Sequence, residues 1–204
     1  METLTTKILP FEMKNIPFIL DVVVPMWSPP IGDEEFRRFD VEYILRNNLF
    51  ENTFHYELVE HNEQTGLDEF CAAAFFARKG DVCRAEEWFA VESKKYPEEL
   101  KRASIMSREY IEEMDKKTFD MMNEDDIKLT LYVSRKRGCG SRLLNDLCEQ
   151  FKQKGYKKLY LWTDCDCDWE WYTEHGYELV EQGVYKPFSS ENEDYRTFVF
   201  RKEL

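Results

Sequence analysis

The sequence predicts one domain of the mixed α/β class, and two observations carry this prediction. Segments with the two-residue alternation of β-strands are interspersed with segments whose apolar residues recur at helical spacing. A helical block at 85–126 separates the third predicted strand from the fourth. The 204 residues are enough to bury a core without disulfides or structural metals, so we expect a single domain over 1–204.

The first third of the chain predicts a strand, two helices and a hairpin. A weakly alternating segment at 4–9 is a strand that Pro10 ends, and apolar residues at helical spacing predict a helix over 13–26. Asp33 opens a second helix, because two glutamates follow it in the first turn. The buried stripe of this helix is expected to comprise Phe36, Phe39, Tyr43 and Ile44. Strands at 53–60 and 69–78, joined by a polar loop, form the predicted hairpin.

The helical block at 85–126 is centred on a helix that begins at Pro97, a residue favoured at the first helical position. Its apolar residues recur every three or four positions and are Leu100, Ala103, Met106, Tyr110 and Met114. Two interpretations of the Met, Phe and Trp content stay open. These side chains either form ordinary core and dimer packing or line an adaptable binding site, since methionine side chains are flexible.

The final third contains four further strands and two helices. The alternating segment at 127–133 is a strand with Ile127, Leu129, Leu131 and Val133 on one face. A glycine turn and a helix from Ser141 follow, and the helix buries Leu143, Leu144, Leu147, Cys148 and Phe151. Strands at 157–163, 177–180 and 195–201 and a short helix at 169–175 complete the chain.

The charge distribution bounds the class of ligand. The formal net charge of −13 argues against nucleic acid or an anionic membrane as the main partner, because both require clustered cations. A cationic small molecule fits the overall field better. The charge is uneven, however, with −8 over 31–70 and +6 over 135–158. The basic segment therefore predicts a local site for an anionic ligand.

The six cysteines lack the paired spacing of a zinc ribbon, and we expect them to be reduced thiols in a cytoplasmic protein. Cys165 and Cys167 form the only close pair. Two interpretations of this pair stay open, namely small residues at a strand end and a metal or redox role. No metal ligand set is evident, so we expect no metal. The apolar stretch at 17–27 is too short to span a bilayer, and no signal peptide precedes it.

The glycine turn after the fourth strand is the first candidate site. A helix N-terminus exposes unpaired backbone N–H groups and the positive end of the helix dipole, which together suit a diphosphate. Gly138 and Gly140 allow close approach of the backbone. The neighbouring cations Arg135, Lys136, Arg137 and Arg142 add charge. The alternative interpretation is a simple tight turn.

Tyr172, in the short helix before Gly176, is the second candidate. Its phenol can donate a proton to a departing thiolate if the side chain points into a cleft between the preceding strands. The alternative is a packing aromatic among Trp169, Trp171 and Tyr177.

Together these two segments resemble the GNAT superfamily of acetyl-CoA-dependent N-acetyltransferases. The family's Arg/Gln-x-x-Gly-x-Gly/Ala motif corresponds to Arg135-Lys136-Arg137-Gly138-Cys139-Gly140, and its later aromatic segment to Trp171-Tyr172 and Gly176-Tyr177. The similarity covers 127–181. It implies a mixed seven-stranded sheet, flanked by helices, that splays at its centre to hold acetyl-CoA, and it makes the helical block an insertion that shapes a lid or an acceptor pocket.

The resemblance also implies roles for individual residues. The pyrophosphate would lie on backbone amides of Arg137, Gly138, Cys139, Gly140 and Ser141, with Arg135 and Arg142 nearby, and the pantetheine would pair with Leu131, Tyr132 and Val133. Cys165 stands where the family often has an asparagine that contacts the pantetheine. An amide near Val133 would polarise the thioester carbonyl, and Tyr172 would act as the general acid. The general base stays open among Glu57, Glu69, Asp164, Asp166 and Asp168.

The sequence therefore predicts an N-acetyltransferase that transfers the acetyl group of acetyl-CoA to a primary amine of a small molecule or peptide. Electrostatic steering favours a cationic amine, and exposed apolar surface on the helical block is compatible with a homodimer. The alternative is a non-catalytic acyl-CoA-binding or protein-interaction module with the same fold.

Overall fold

The computed structural model describes residues 4–204, which form seven strands and six α-helices. In chain order they are β1 (Leu4–Pro10), α1 (Ile16–Trp27), α2 (Glu34–Asn47), β2 (His55–Asn62), β3 (Asp68–Ala77), α3 (Ala85–Glu92), α4 (Glu98–Met121), β4 (Ile127–Ser134), α5 (Cys139–Gln153), β5 (Lys158–Asp164), α6 (Glu170–Glu174), β6 (Glu178–Val184) and β7 (Arg196–Glu203). The predicted mixed α/β class is confirmed, and α3 and α4 lie between the third and fourth strands as expected.

The seven strands form one sheet with the order β1-β2-β3-β4-β5-β7-β6. All neighbouring strands are antiparallel except β4 and β5, which are parallel. This parallel ladder contains only the pairs Ile127–Leu159 and Lys128–Tyr160. Beyond Lys128 and Tyr160 the two strands diverge, so a gap opens between an N-terminal leaf (β1–β4) and a C-terminal leaf (β5–β7).

Helices cover both faces of this sheet. Successive residues of β5 point to opposite faces, because side chains alternate along a strand. Leu159 and Leu161 pack in the core cluster that contains α5, whereas Tyr160 packs in the cluster that contains α4. Helices α1 and α2 pack on the N-terminal leaf from the same side as α4. We call the two sides the α5 face and the α4 face.

A β-bulge at Thr130 reverses the orientation of side chains within β4. Phe75 of β3 pairs with Leu131 and Phe76 pairs with Leu129, so Thr130 is an extra residue in the ladder. Ile127 and Leu129 consequently pack on the α5 face, and Leu131 and Val133 on the α4 face. The prediction that all four share one face is therefore wrong, although all four are buried.

Two predicted helical stripes are wrong in part, because both helices contact more than one neighbour. In α2, Val41 and Leu45 are fully buried and Ile44 is only half-buried. In α4, Met106 is 40% exposed and Ser104 is buried against α2. Pro97 is the N-cap of α4 rather than its first helical residue. Asp33 caps α2 as predicted and accepts a hydrogen bond from the Phe36 amide.

The contact between α2 and α4 contains a titratable group that makes stability depend on pH. Asp40 is buried and accepts a hydrogen bond from the Ser104 hydroxyl, with 2.5 Å between Oδ1 and Oγ. Burial raises the pKa of Asp40 to about 6. The pKa of Asp40 in the unfolded chain is about 4. The stability that protonated Asp40 contributes to the folded protein is therefore fully present below a pH of about 4, and it is lost as the pH rises through about 6.

We therefore expect the variant Asp40→Asn to gain stability relative to the wild type as the pH rises. The relative gain between pH of about 4 and about 7 is expected to be on the order of 3 kcal/mol, the equivalent of two pKa units. Urea unfolding at a series of pH values measures it. A difference between the two proteins that does not change with pH would contradict the assignment.

Candidate functional site

The first edge of the gap is the side of β4 that faces away from β3. The Arg135 amide donates to the Cys71 carbonyl at 2.8 Å, and hydrogen-bonding direction alternates along an antiparallel pair. The backbone groups of Val133 consequently point toward β3, and those of Tyr132 and Ser134 point into the gap. The expected polarising amide near Val133 is therefore that of Tyr132 or Ser134, since the Val133 amide belongs to the ladder with β3.

The second edge of the gap belongs to β5. The Cys165 amide donates to the Arg196 carbonyl at 3.0 Å, so the same alternation directs the backbone groups of Trp162 into the gap. The half-buried Cys165 side chain packs against the core on the α5 face. Within residues 4–204 no strand pairs with the gap side of β4 or β5 beyond Lys128 and Tyr160. Two strand edges with unpaired backbone thus face each other inside the sheet.

The glycine turn leads from the first edge to the N-terminus of α5. Gly138 is the N-cap with a φ of +83°, and the helix begins at Cys139, two residues earlier than predicted. The Cys139 amide donates to the Lys136 carbonyl at 3.1 Å and the Gly140 amide donates to Ser134 Oγ at 3.1 Å. These two amides are therefore engaged within the protein.

Of the five amides predicted to hold the diphosphate, the remaining three are those of Arg137, Gly138 and Ser141. The described structure shows no hydrogen-bond acceptor for them. They lie at the positive end of the helix dipole, so this N-terminus keeps open donors for an anion. Three of the five predicted backbone donors are thus available to a ligand.

The cations around the turn differ in their availability. Lys136 is engaged in ion pairs with Glu60 at 2.7 Å and Glu69 at 2.8 Å, so its charge is directed away from the turn. The Arg135 guanidinium lies over the ring of Phe18 at 5.1 Å. Arg137 is exposed, and Arg142 makes a long contact of 3.8 Å with Asp146. The arginines rather than Lys136 supply the positive charge here.

The two glycines of the turn have different steric roles, which substitutions by alanine should separate. A Cβ on Gly140 would lie 2.5 Å from the Tyr132 hydroxyl and 2.9 Å from Ser134 Cβ, whereas a Cβ on Gly138 meets nothing within 4 Å. We expect Gly140→Ala to cost about 1–3 kcal/mol through overpacking, and Gly138→Ala to cost about 1–2 kcal/mol through its positive φ alone.

Urea unfolding of both alanine variants compares these costs, and crystal structures would show whether Tyr132 moves. An unmoved Tyr132 in Gly140→Ala would contradict the close packing that we describe.

Tyr172 lies in α6 on the α5 face, beside the gap. Its ring packs on Phe200 and Tyr177, with centroid distances of 5.5 and 5.3 Å. Burial raises the pKa of Tyr172, and the nearby Cys167 and Tyr132 raise it further. The phenol therefore stays protonated at neutral pH. The packing that the second interpretation predicted is confirmed for the ring, and the role of the hydroxyl as a general acid stays a prediction.

An aromatic contact spans the gap on the α5 face. Tyr132 of the first edge and Trp171 of α6 have ring centroids 5.9 Å apart. Tyr132, Trp171 and Tyr172 thus come together although 38 residues separate the first two in the chain. The sequence contained no signal for this contact.

Of the five carboxylates named as candidate bases, Asp164 lies at the gap with its side chain buried. It accepts a hydrogen bond from the Tyr110 hydroxyl at 3.0 Å on the α4 face, and burial raises its pKa. Glu57 is buried in β2, two strands away from the gap, where it accepts from Asn15 at 2.7 Å. Glu69 is paired with Lys136, and Asp166 and Asp168 are exposed.

The base of the gap is closed by a buried polar contact that the sequence did not indicate. Lys128 of β4 is 0% exposed and is ion-paired with Asp115 of α4. Trp162 of β5 donates from Nε1 to the same Asp115 oxygen at 2.5 Å. Asp115 therefore joins the two strands immediately after their last backbone pair.

Among the helices of residues 4–204, none combines the length and the apolar character needed to cross a bilayer.

Comparison with known proteins agrees with this architecture. The sequence matches no protein family and no curated protein, whereas 222 chains of solved structures match the fold. The C-terminal condensation domain of Ebony in complex with β-alanyl-dopamine has 10% identity and a TM-score of 0.60, covering 99% of this chain and 100% of that one.

Two further structures of similar fold are described as a GCN5-related N-acetyltransferase and as an acetyltransferase of the GNAT family. A GCN5-related N-acetyltransferase from Kribbella flavida has 10% identity and a TM-score of 0.52, covering 98% of both chains. A GNAT-family acetyltransferase from Staphylococcus aureus Mu50 has 14% identity and a TM-score of 0.50, covering 98% of this chain and 99% of that one. At such identities the likeness concerns architecture, and the chain has the fold of the GNAT acetyltransferases.

Proposed function

We propose that this protein is an N-acetyltransferase that transfers the acetyl group of acetyl-CoA to a primary amine. The observation that carries the proposal is the pair of unpaired strand edges, which lead directly to an open helix N-terminus. Backbone donors and acceptors away from water are normally paired, so a row of unpaired groups within a sheet favours a strand-like ligand. The pantetheine arm of CoA with its two amides is such a ligand, and the diphosphate of CoA suits the amides of Arg137, Gly138 and Ser141.

The two faces of the gap have complementary chemistry. Tyr172 lies on the α5 face and is protonated at neutral pH, as a general acid for a departing thiolate must be. Asp164 lies on the α4 face, and its raised pKa suits a group that accepts the proton of an ammonium acceptor. The amide of Tyr132 or Ser134 would stabilise the oxyanion of the attacked thioester. The amine and the thioester would then meet inside the gap.

The acceptor class is proposed from electrostatics. The net charge of −13 favours a cationic amine over an anionic one, because the field of the whole protein steers association. The Tyr110 hydroxyl donates to Asp164 on the α4 face, and the Tyr110 ring packs on the rings of Tyr185 and Tyr195. Small or peptide amines with an apolar group fit this surface best.

Calorimetric titration with acetyl-CoA, CoA and ATP tests the proposed cosubstrate. We expect both CoA species to bind and ATP to bind weakly. Gly138→Glu places an anion at the helix N-terminus and should abolish CoA binding. Gly80→Glu is the matched control, since Gly80 also has a positive φ and open space around its Cβ position but lies in the β3–α3 connection. Equal binding by both variants would contradict the site.

An amine panel with detection of released CoA thiol tests the reaction itself. We expect thiol release with cationic primary amines, and we expect Asp164→Asn to reduce it without loss of CoA binding. CoA binding with no thiol release for any amine would favour the alternative, a non-catalytic acyl-CoA-binding or interaction module.

A further inference from the structure

Three side chains with metal-binding atoms converge behind the glycine turn. They are Glu60 of β2, Cys71 of β3 and Cys139 at the first position of α5, and one carboxylate oxygen and the two sulfurs all lie within 4.8 Å of one another. They come from three different elements, so the fold brings them together rather than local sequence. Cys71 is buried and the other two are half-buried, which leaves the group open to solvent on one side.

The spacing and the donor types suit one class of cation. In a tetrahedral zinc site with bonds of about 2.3 Å to sulfur and about 2.0–2.2 Å to oxygen, the ligand atoms lie about 3.5–3.8 Å apart. From separations of at most 4.8 Å, the three atoms therefore need to approach one another by no more than about 1.0–1.3 Å. Two thiolates and one carboxylate select a thiophilic divalent ion over calcium or magnesium.

One cationic side chain already lies beside this group. Lys136 Nζ already lies 2.7 Å from Glu60 Oε2 and 2.8 Å from Glu69 Oε2. This ammonium pairs with one oxygen of the Glu60 carboxylate, so a metal ion would have to share that carboxylate with Lys136. Cys139 is the first residue of α5 and therefore lies at the positive end of that helix dipole.

We propose that Glu60, Cys71 and Cys139 bind a zinc-class divalent cation with one position left for water. Each thiol releases its proton to solvent as its sulfur–metal bond forms, and no electrons are transferred. The bound ion ties the start of α5, and with it the glycine turn, to β2 and β3. This site does not depend on acyl transfer, because its ligands and its test are separate from the acetylation reaction.

The pH dependence and the role of Lys136 follow from these contacts. Metal binding displaces the protons of the two thiols, so it weakens as the pH falls. The residues that face the group are Glu60, Glu69, Cys139 and Lys136, of which Lys136 is the cation that competes with the metal. We expect Lys136→Met to tighten metal binding, in contrast to variants that remove a ligand.

Titration of the full-length, reduced protein with Co²⁺, followed by displacement with Zn²⁺, tests the proposal. We expect one equivalent of Co²⁺ to give thiolate charge-transfer absorption and the visible spectrum of a tetrahedral site. Cys71→Ser and Cys139→Ser should each weaken binding at least about 100-fold, more than the usual loss for an outer-sphere partner. The double variant Cys165→Ser/Cys167→Ser should bind like the wild type.

Further readouts on the wild-type protein guard against variants that fail to fold. Zinc should protect the half-buried Cys139 from thiol-specific alkylation, as peptide mapping would show, whereas Cys71 is buried and should react slowly with or without the ion. The proposal is overturned if no thiolate band appears at one equivalent, if the band persists in Cys71→Ser, or if the protected cysteines are Cys165 and Cys167. Formation of a Cys71–Cys139 disulfide without metal uptake would also overturn it.

Discussion

Asp115→Ala is expected to lower the free energy of unfolding by about 3–5 kcal/mol, because it leaves the charge of Lys128 buried without a partner. Lys128 is 0% exposed, and its pKa is lowered by burial while Asp115 opposes that shift. The substitution also removes the acceptor for Trp162 Nε1. Urea unfolding monitored by circular dichroism measures the loss.

Two further variants separate the buried charge from other effects of the substitution. The double variant Asp115→Leu/Lys128→Met removes both charges and should recover a large part of the loss, since apolar replacement of a buried pair is often neutral. Asp120→Ala removes an exposed partner of Lys116 on the same helix and should leave stability nearly unchanged. Equal losses for Asp115→Ala and the double variant would mean that the charge is not the cause.

Tyr172→Phe is expected to reduce the turnover of acetyl transfer by about 10²–10⁴, the usual contribution of a positioned acid, with CoA binding unchanged. The substitution removes only the hydroxyl, and the ring contacts with Phe200 and Tyr177 persist. Tyr177→Phe is the matched control, because the Tyr177 hydroxyl is buried with no hydrogen-bond partner among the described residues. Its loss should leave turnover intact.

The pH profile of turnover gives a second test of the same role. A general acid acts below its pKa, and the pKa of Tyr172 is raised, so turnover should not decline until the pH exceeds about 10, the ordinary value for tyrosine. Asp164 must be ionised to accept a proton, and burial raises its pKa. Turnover should therefore decline as the pH is lowered, and this decline should begin at a pH above about 4, the ordinary pKa of aspartate. Wild-type turnover in Tyr172→Phe would remove Tyr172 from the mechanism.

The sequence predicted the order of elements and the two motifs because these depend on local patterns. Alternation identified the strands, and the glycines with their flanking strand and helix identified the turn. The bulge at Thr130 was not predictable, because it results from the pairing of β4 with β3 and no local residue marks it. The assignment of Leu131 and Val133 to a face failed for this reason.

The charged and polar contacts around the site could not be predicted from the sequence either. Lys136 belongs to the basic segment by composition, yet Glu60 and Glu69 bind it from strands more than sixty residues earlier. Lys128 continues an alternating strand and would be expected on a surface, but Asp115 of the inserted helix makes its burial possible. Ser134 Oγ accepts a hydrogen bond from the Gly140 amide in the first turn of α5, and only the folded turn shows this contact.

The gap also gives this sheet an unusual pattern of amide hydrogen exchange. Amides inside a sheet normally exchange only when the protein opens, because their hydrogen bonds must first break. The amides of Tyr132, Ser134 and Trp162 face the gap without a strand partner, so they should exchange rapidly although both neighbouring strands are central. Any molecule that pairs with these edges will slow their exchange before it affects other amides. Three interior positions thus report occupancy of the gap without a chemical label.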